Sequence, residues 1–194
     1  MRNVAILIFD DVEVLDFCGP FEVFSVTGRS RNQKAFEVYT VAEKAEPVLA
    51  FNGLSVNPRY TLTECPPFDI LIVPGGFGTR REINNPVLID WIKERGAKAE
   101  LVMSVCTGSL LLAKAGLLDG LAATTHHLAM DLLREVAPRT EVQPEKRFVD
   151  NGRVLASAGI SAGIDLSFHV VAKLLGEETA AETAWRMEYD WKPQ

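Results

Sequence analysis

The chain has 194 residues, 47% of them hydrophobic and 24% charged, with a formal net charge of −6 and a pI near 5.2. That length suits one domain better than two, and the composition is that of a globular protein able to bury a sizeable core. The acidic balance argues against nucleic acid or an anionic membrane as the main partner, because both select basic patches.

Val4–Phe9 is apolar but far shorter than a membrane span requires. It runs into Asp10-Asp11 with no small-residue cleavage site behind it, so it reads as a buried first strand and not as a signal peptide. Next comes Leu15–Phe24, LDFCGPFEVF, in which Pro20 is suited to open a helix whose inner face includes Phe21 and Phe24. Asp16, just ahead, sits between apolar neighbours. It is either a helix cap or a partly buried acid with a raised pKa, suited to proton transfer. Glu22 is the fallback acid, although its place in the helix favours exposure or a salt bridge.

Phe36–Ala42 alternates and is β-branched, as a second strand would be. Asp69–Pro74 and Leu101–Val105 are apolar throughout, the pattern of central parallel strands buried on both faces. Between them the spacing predicts a helix that Asn85 caps, Pro86 opens and Gly96 ends, with Val87, Leu88, Trp91, Ile92 and Arg95 on its sheet-facing side. Further helices are predicted from Thr107 to before Gly116, over Leu128–Val136 with Pro138 closing it, and over Ile164–Leu175 and Thr179–Met187. Ala122–Thr125 and Val154–Ala156 read as late strands. This alternation predicts a single α/β domain over residues 1–194 with a mostly parallel sheet. The three cysteines, Cys18, Cys65 and Cys106, are odd in number and lack CxxC spacing. They suggest neither a disulfide framework nor a zinc site, and point to reduced, cytoplasmic thiols.

The chemistry concentrates in Leu101–Leu112, LVMSVCTGSLLL, where an apolar strand runs straight into Cys106 and then an apolar helix. This is a strand–nucleophile–helix elbow with Cys in the position that Ser takes in G-x-S-x-G. Such a turn exposes its side chain at the carboxyl end of a central strand, where open α/β sheets bind ligands. The following helix directs its N–H groups and positive dipole end at the sulfur, which favours thiolate. The competing reading is a buried structural cysteine. Gly108 would let helix and strand approach closely.

Pro74-Gly75-Gly76-Phe77-Gly78 follows the other clear strand, where glycine N–H groups can face an oxyanion. A plain turn or a dinucleotide loop would compete, but Arg81 stands where the third glycine of GxGxxG belongs and the strand is internal. Of the histidines, His126 and His127 follow the Ala122–Thr125 strand, so they should point to opposite faces and not chelate one metal together. His126 is the candidate for the Cys106 cleft, whereas His169 falls in a helix among apolar neighbours. Ser157–Gly163, SAGISAG, is a small-residue loop in which Ser161 reads as a helix cap. Ile160 and Ser161 are the candidates there for lining the pocket.

Taken together, LDFCGPFEVF, DILIVPGGFG, SVCTGSLLLAKAGLLDGLAATTHH and SAGISAGIDL resemble the DJ-1/PfpI superfamily, with its class I glutamine amidotransferase-like, flavodoxin-type fold. The likeness is closest to its isonitrile (isocyanide) hydratase branch, and the ligand-sensing half of AraC-type regulators carries the same motifs. The resemblance implies a flavodoxin-like open sheet with helices on both faces, Cys106 as nucleophile and Asp16 as the acid beside it. It also implies donors from Thr107, Gly75 and Gly76, His126 near the pocket, and a homodimer. Where the protease branch has a histidine after the cysteine, this chain has Thr107, which speaks against peptidase activity.

The expected function is therefore a lyase that hydrates isonitriles to N-substituted formamides through a thioimidate on Cys106, with no cofactor or metal. The alternatives are a redox or carbonyl-stress protein with the same reactive cysteine, and a ligand-sensing module without catalysis. An autonomous regulator is disfavoured, because a DNA-binding domain would need more chain than this sequence has.

Overall fold

A computed structural model of the chain describes residues 1–29 and 34–193. The strands are β1 (Arg2–Leu7), β2 (Phe36–Ala42), β3 (Val48–Leu49), β4 (Ser55–Val56), β5 (Tyr60–Thr61), β6 (Ile70–Val73), β7 (Leu101–Val105), β8 (Ala122–Ala123), β9 (Glu141–Val142), β10 (Phe148–Asp150) and β11 (Val154–Ser157). The helices are α1 (Val14–Val26), α2 (Thr79–Glu82), α3 (Pro86–Gly96), α4 (Gly108–Lys114), α5 (Met130–Val136), α6 (Ala162–Leu175) and α7 (Glu177–Arg186).

The main sheet runs β10-β11-β7-β6-β1-β2-β5, and only β10 is antiparallel to its neighbour. Its five parallel strands from β2 to β11 follow the flavodoxin-like order, in which ligands bind where the chain reverses direction beside the first strand. Val4–Leu7, Ile70–Val73 and Val102–Met103 are fully buried, as the continuous apolar runs predict for strands covered on both faces. Helix α1 packs with α6 and α7, whereas α4 packs with α2, α3 and α5, giving one helical layer on each side of the sheet.

Helix α3 begins as its sequence dictates. The Asn85 side chain accepts from the N–H groups of Val87 and Leu88, and Pro86 occupies the first turn. Its buried face is Leu88, Ile89, Ile92 and Gly96, so Val87, at 57% exposed, is corrected to the solvent side. Helix α1 departs further from expectation. It starts at Val14, and Pro20 lies inside it. A proline there cannot donate to the carbonyl one turn earlier, that of Asp16. The close fit of the preceding residue against α6 accompanies this cost, since a Cβ on Gly19 would come within 2.8 Å of Ile164.

Gly108 opens α4 directly against the end of β6. An added Cβ would lie 2.8 Å from the Val73 carbonyl carbon and closer still to its oxygen. Because that neighbour is backbone in a central strand, it cannot yield. Gly108→Ala is therefore expected to destabilise the fold by about 3 kcal/mol through overpacking, read as a lowered urea midpoint with an unchanged slope. An unchanged midpoint would contradict the close approach.

Candidate active site

Four segments meet at the carboxyl ends of β1, β6, β7 and β11. The first turn of α1 supplies Asp16, the loop after β6 supplies Gly75 and Gly76, the elbow after β7 supplies Cys106 and Thr107, and the loop after β11 supplies Ile160.

Cys106 has φ 56°, a left-handed conformation that non-glycine residues rarely adopt. Its neighbours hold it there. Its N–H is shared between the carbonyls of Ser157 and Ala158, each at 3.2 Å. Its carbonyl accepts from the hydroxyls of Thr125 at 2.9 Å and Ser109 at 3.1 Å. Ile160 is likewise left-handed, at φ 52°, an outlier for a β-branched residue. The backbone N–H groups of Thr107 and Ile160 are both directed at the sulfur. Strain at two adjacent positions marks a site that its surroundings over-determine.

Asp16 is completely buried and its carboxyl lies against the Cys106 side chain. Its Oδ2 accepts from the Gly75 N–H at 3.0 Å, and its Oδ1 is buried without a hydrogen-bond partner. Burial pushes this carboxyl up to about 7, with the Gly75 N–H and the thiol opposing that rise. Of the two readings that the residues left open, the helix cap is ruled out, because Glu13 holds the cap position. Glu22, the fallback acid, is exposed to solvent.

The expected thiolate is corrected. Burial, and next the neighbouring Asp16 charge, push the Cys106 thiol up to about 12, outweighing the N–H groups of Thr107 and Ile160. The helix that follows spans only seven residues. Free Cys106 is therefore protonated at neutral pH, and Asp16 is the group placed to receive that proton.

The expectation that Gly75 and Gly76 offer free donors to an oxyanion is also corrected. Gly75 N–H is taken by Asp16, and Gly76 N–H by the Thr107 hydroxyl at 3.0 Å. That hydroxyl also meets Thr79 Oγ1 at 3.1 Å and the Gly76 carbonyl at 3.2 Å, so it bolts two loops together. The glycines serve close approach instead. A Cβ on Gly75 would fall 2.5 Å from Thr107 N and 2.9 Å from Asp16 Oδ2. The donors left facing the sulfur are the Thr107 and Ile160 N–H groups.

A cleft of about 200 Å³ opens over Cys106. Phe77, Leu128 and Ile160 form its apolar side, and Glu13, Arg80 and His126 its polar side. His126 and His127 do not point to opposite faces as expected. The strand stops at Ala123, and the two rings stack at 4.3 Å. His126 Nδ1 accepts from Leu128 N–H at 3.2 Å, and burial holds its pKa below the usual value, with His127 and Arg80 adding to the effect. Ser161 is not brought to the cleft. It stands at the start of α6 without capping it, and its hydroxyl accepts from Arg147 at 3.3 Å. His169 pairs with Asp150 at 2.8 Å, away from the cleft. A larger hollow of about 460 Å³ beside Phe9, Glu43 and Asn85 is lined by no cysteine, serine or threonine, so the chemistry assigns the smaller cleft.

Sequence reasoning missed Glu13, Phe77, Arg80 and Leu128 as cleft residues. Arg80 lay inside the segment weighed against a nucleotide loop, and its cationic side chain beside the glycines was the available signal. Among the described residues no cluster of three or more His, Cys, Asp or Glu is arranged to hold a metal, and no helix is long and apolar enough to cross a membrane.

The DJ-1/PfpI family model matches residues 2–173. Isonitrile hydratase of Pseudomonas putida is 36% identical over 188 residues, covering 96% of this chain and 78% of that protein. The transcriptional regulator CdhR of Pseudomonas aeruginosa is 32% identical over 92% of this chain, which spans 52% of the regulator. The crystal structure of a ThiJ/PfpI family protein from Pseudomonas syringae superposes with a TM-score of 0.89 at 31% identity, covering 99% of this chain and 76% of that one. With the flavodoxin-like sheet order and the strained cysteine elbow, these matches establish that the chain belongs to the DJ-1/PfpI family.

Proposed function

We propose that the protein hydrates isonitriles, R–N≡C, to N-substituted formamides by covalent catalysis at Cys106. The observation that carries this reading is the buried pair of Cys106 thiol and Asp16 carboxyl at the base of a small, partly apolar cleft. The 36% identity to an isonitrile hydratase supports it.

An isonitrile carbon must gain both a nucleophile and a proton. Asp16, as carboxylate, accepts the thiol proton while the sulfur attacks the terminal carbon, then delivers that proton to the same carbon, giving the thioimidate R–N=CH–S–Cys106. A water then adds to this carbon. Asp16 takes a proton from the water, the nitrogen gains one, and the C–S bond breaks to release R–NH–CHO and the protonated thiol. One water is consumed and nothing is oxidised or reduced. The N–H groups of Thr107 and Ile160 stabilise the sulfur as it carries charge. A cytoplasmic setting that keeps Cys106 reduced, and a homodimeric assembly, complete the proposal.

The test is infrared loss of the isonitrile stretch with simple alkyl and aryl isonitriles. Loss matched by equimolar formamide is the expected result, and no loss with any of them overturns the reading. The regulator match motivates a second reading, a ligand-sensing domain. Tight binding of an isonitrile or formamide without consumption would favour it.

A further inference from the structure

The polar side of the cleft carries one permanent cation and one carboxylate, and they are not paired with each other. Arg80 projects from the first turn of α2, with its guanidinium 5.2 Å from the centre of the Phe77 ring. Its Nη1 donates to the Gly76 carbonyl at 3.2 Å, which fixes the head group at the rim of the cleft. Among the described residues no carboxylate lies within ion-pair distance of it. The adjacent Arg81 shows the contrast, since Asp11 at 3.3 Å and Glu82 at 2.8 Å both neutralise it. The Arg80 charge is felt across the cleft, where it adds to the burial that lowers the His126 pKa. A guanidinium anchored through one nitrogen, backed by an aromatic ring and lacking a carboxylate, has donors left for a planar anion.

Glu13 lines the same cleft, and its charge acts on both Asp16 and His126. It therefore repels an anion on the side nearest Asp16 and confines one to the side of Arg80 and Phe77. The cleft volume of about 200 Å³ restricts the whole substrate to a small molecule.

We propose that Arg80 selects substrates carrying a carboxylate on the group attached to the isonitrile nitrogen, with Glu13 setting the side of the cleft on which that carboxylate lies. The isonitrile part of this inference rests on the hydratase reading, and the carboxylate part does not. The experiment separates them by measuring binding and turnover independently. Calorimetry would compare N-formylglycine with its ethyl ester, which have the form of hydration products, on wild type, Arg80→Gln and Glu13→Gln. Infrared assays would compare isocyanoacetate with its ethyl ester on the same proteins.

The acid is expected to bind wild type at least tenfold more tightly than the ester. Arg80→Gln should bring that ratio to within threefold of unity, and Glu13→Gln should widen it. Equal binding of acid and ester by wild type, or an acid preference that survives in Arg80→Gln, overturns the assignment of Arg80 whatever the turnover. An intact acid preference in binding without consumption of either isonitrile upholds Arg80 and overturns the hydratase reading alone.

Discussion

Cys106→Ala is expected to lower isonitrile hydration by roughly 10³- to 10⁶-fold, the range seen when a covalent nucleophile is deleted. Folding should change little. The substitution removes only the sulfur, while the contacts that hold residue 106 left-handed are made by its own N–H, to the Ser157 and Ala158 carbonyls, and by its own carbonyl, from the Thr125 and Ser109 hydroxyls. Alanine at the same φ keeps all of them. The melting temperature should stay within about 4 °C of wild type, the shift that about 1 kcal/mol produces in a chain of this size. Cys106→Ser is the sharper control. It restores a hydroxyl of similar shape, yet an alcohol is far less acidic than a thiol and a poorer nucleophile, so activity should stay low. Full turnover by the alanine variant would remove covalent catalysis from the mechanism.

Asp16→Asn should slow hydration by about 10²- to 10⁴-fold, because the proton taken from sulfur loses its acceptor. It should also change how stability depends on pH. The carboxyl titrates at about 7 in the fold against 3.8 for the free side chain. A group whose folded pKa is raised binds its proton more tightly when folded, so the contribution of Asp16 to wild-type stability is fully present below pH 3.8 and is lost as pH rises towards 7. The decline is about 1.4 kcal/mol per pH unit across that window, or roughly 4 kcal/mol in total. Asparagine keeps an acceptor for the Gly75 N–H and carries no charge at any pH. The variant should therefore lack this decline and exceed wild type in stability above pH 7. In wild type, kcat/KM should rise through pH 7 as Asp16 ionises. Denaturant titrations of both proteins from pH 4 to pH 8 decide the matter, and parallel slopes would show that Asp16 is not a strained acid.

The elements that the sequence made legible are those in which local signals and burial agree. Phe36–Ala42 and Leu101–Val105 match β2 and β7 residue for residue, and Asn85-Pro86 marks the start of α3. Cys106 and Gly108 were readable because a strand entering a helix through two residues leaves few geometries. Helix α1 was misplaced because Pro20 has the local preference of a first turn, whereas packing of α1 on α6 decides otherwise. The paired histidines depart from strand alternation because, within the Ala122–Thr125 segment, only Ala122–Ala123 pairs. The donor roles of Gly75 and Gly76 depended on long-range partners, Asp16 and Thr107, that no local pattern reveals. The protonated state of Cys106 escaped for the same reason, since it depends on burial beside a residue from another segment.

The hydrogen bonds that hold the elbow also set when the reactive thiol can exist. Cys106 N–H finds its acceptors in Ser157 and Ala158, and the second donor to the sulfur is Ile160, all more than fifty residues further along the chain. Until β11 has been synthesised and docked beside β7, the Thr125 and Ser109 hydroxyls hold only the carbonyl of residue 106, and its N–H lacks the acceptors that complete the left-handed turn. A partly translated chain thus carries an ordinary cysteine, and chemical competence arrives only with the last parallel strand. Isonitrile turnover would accordingly report complete assembly of the sheet, a stricter criterion than helical content or compactness.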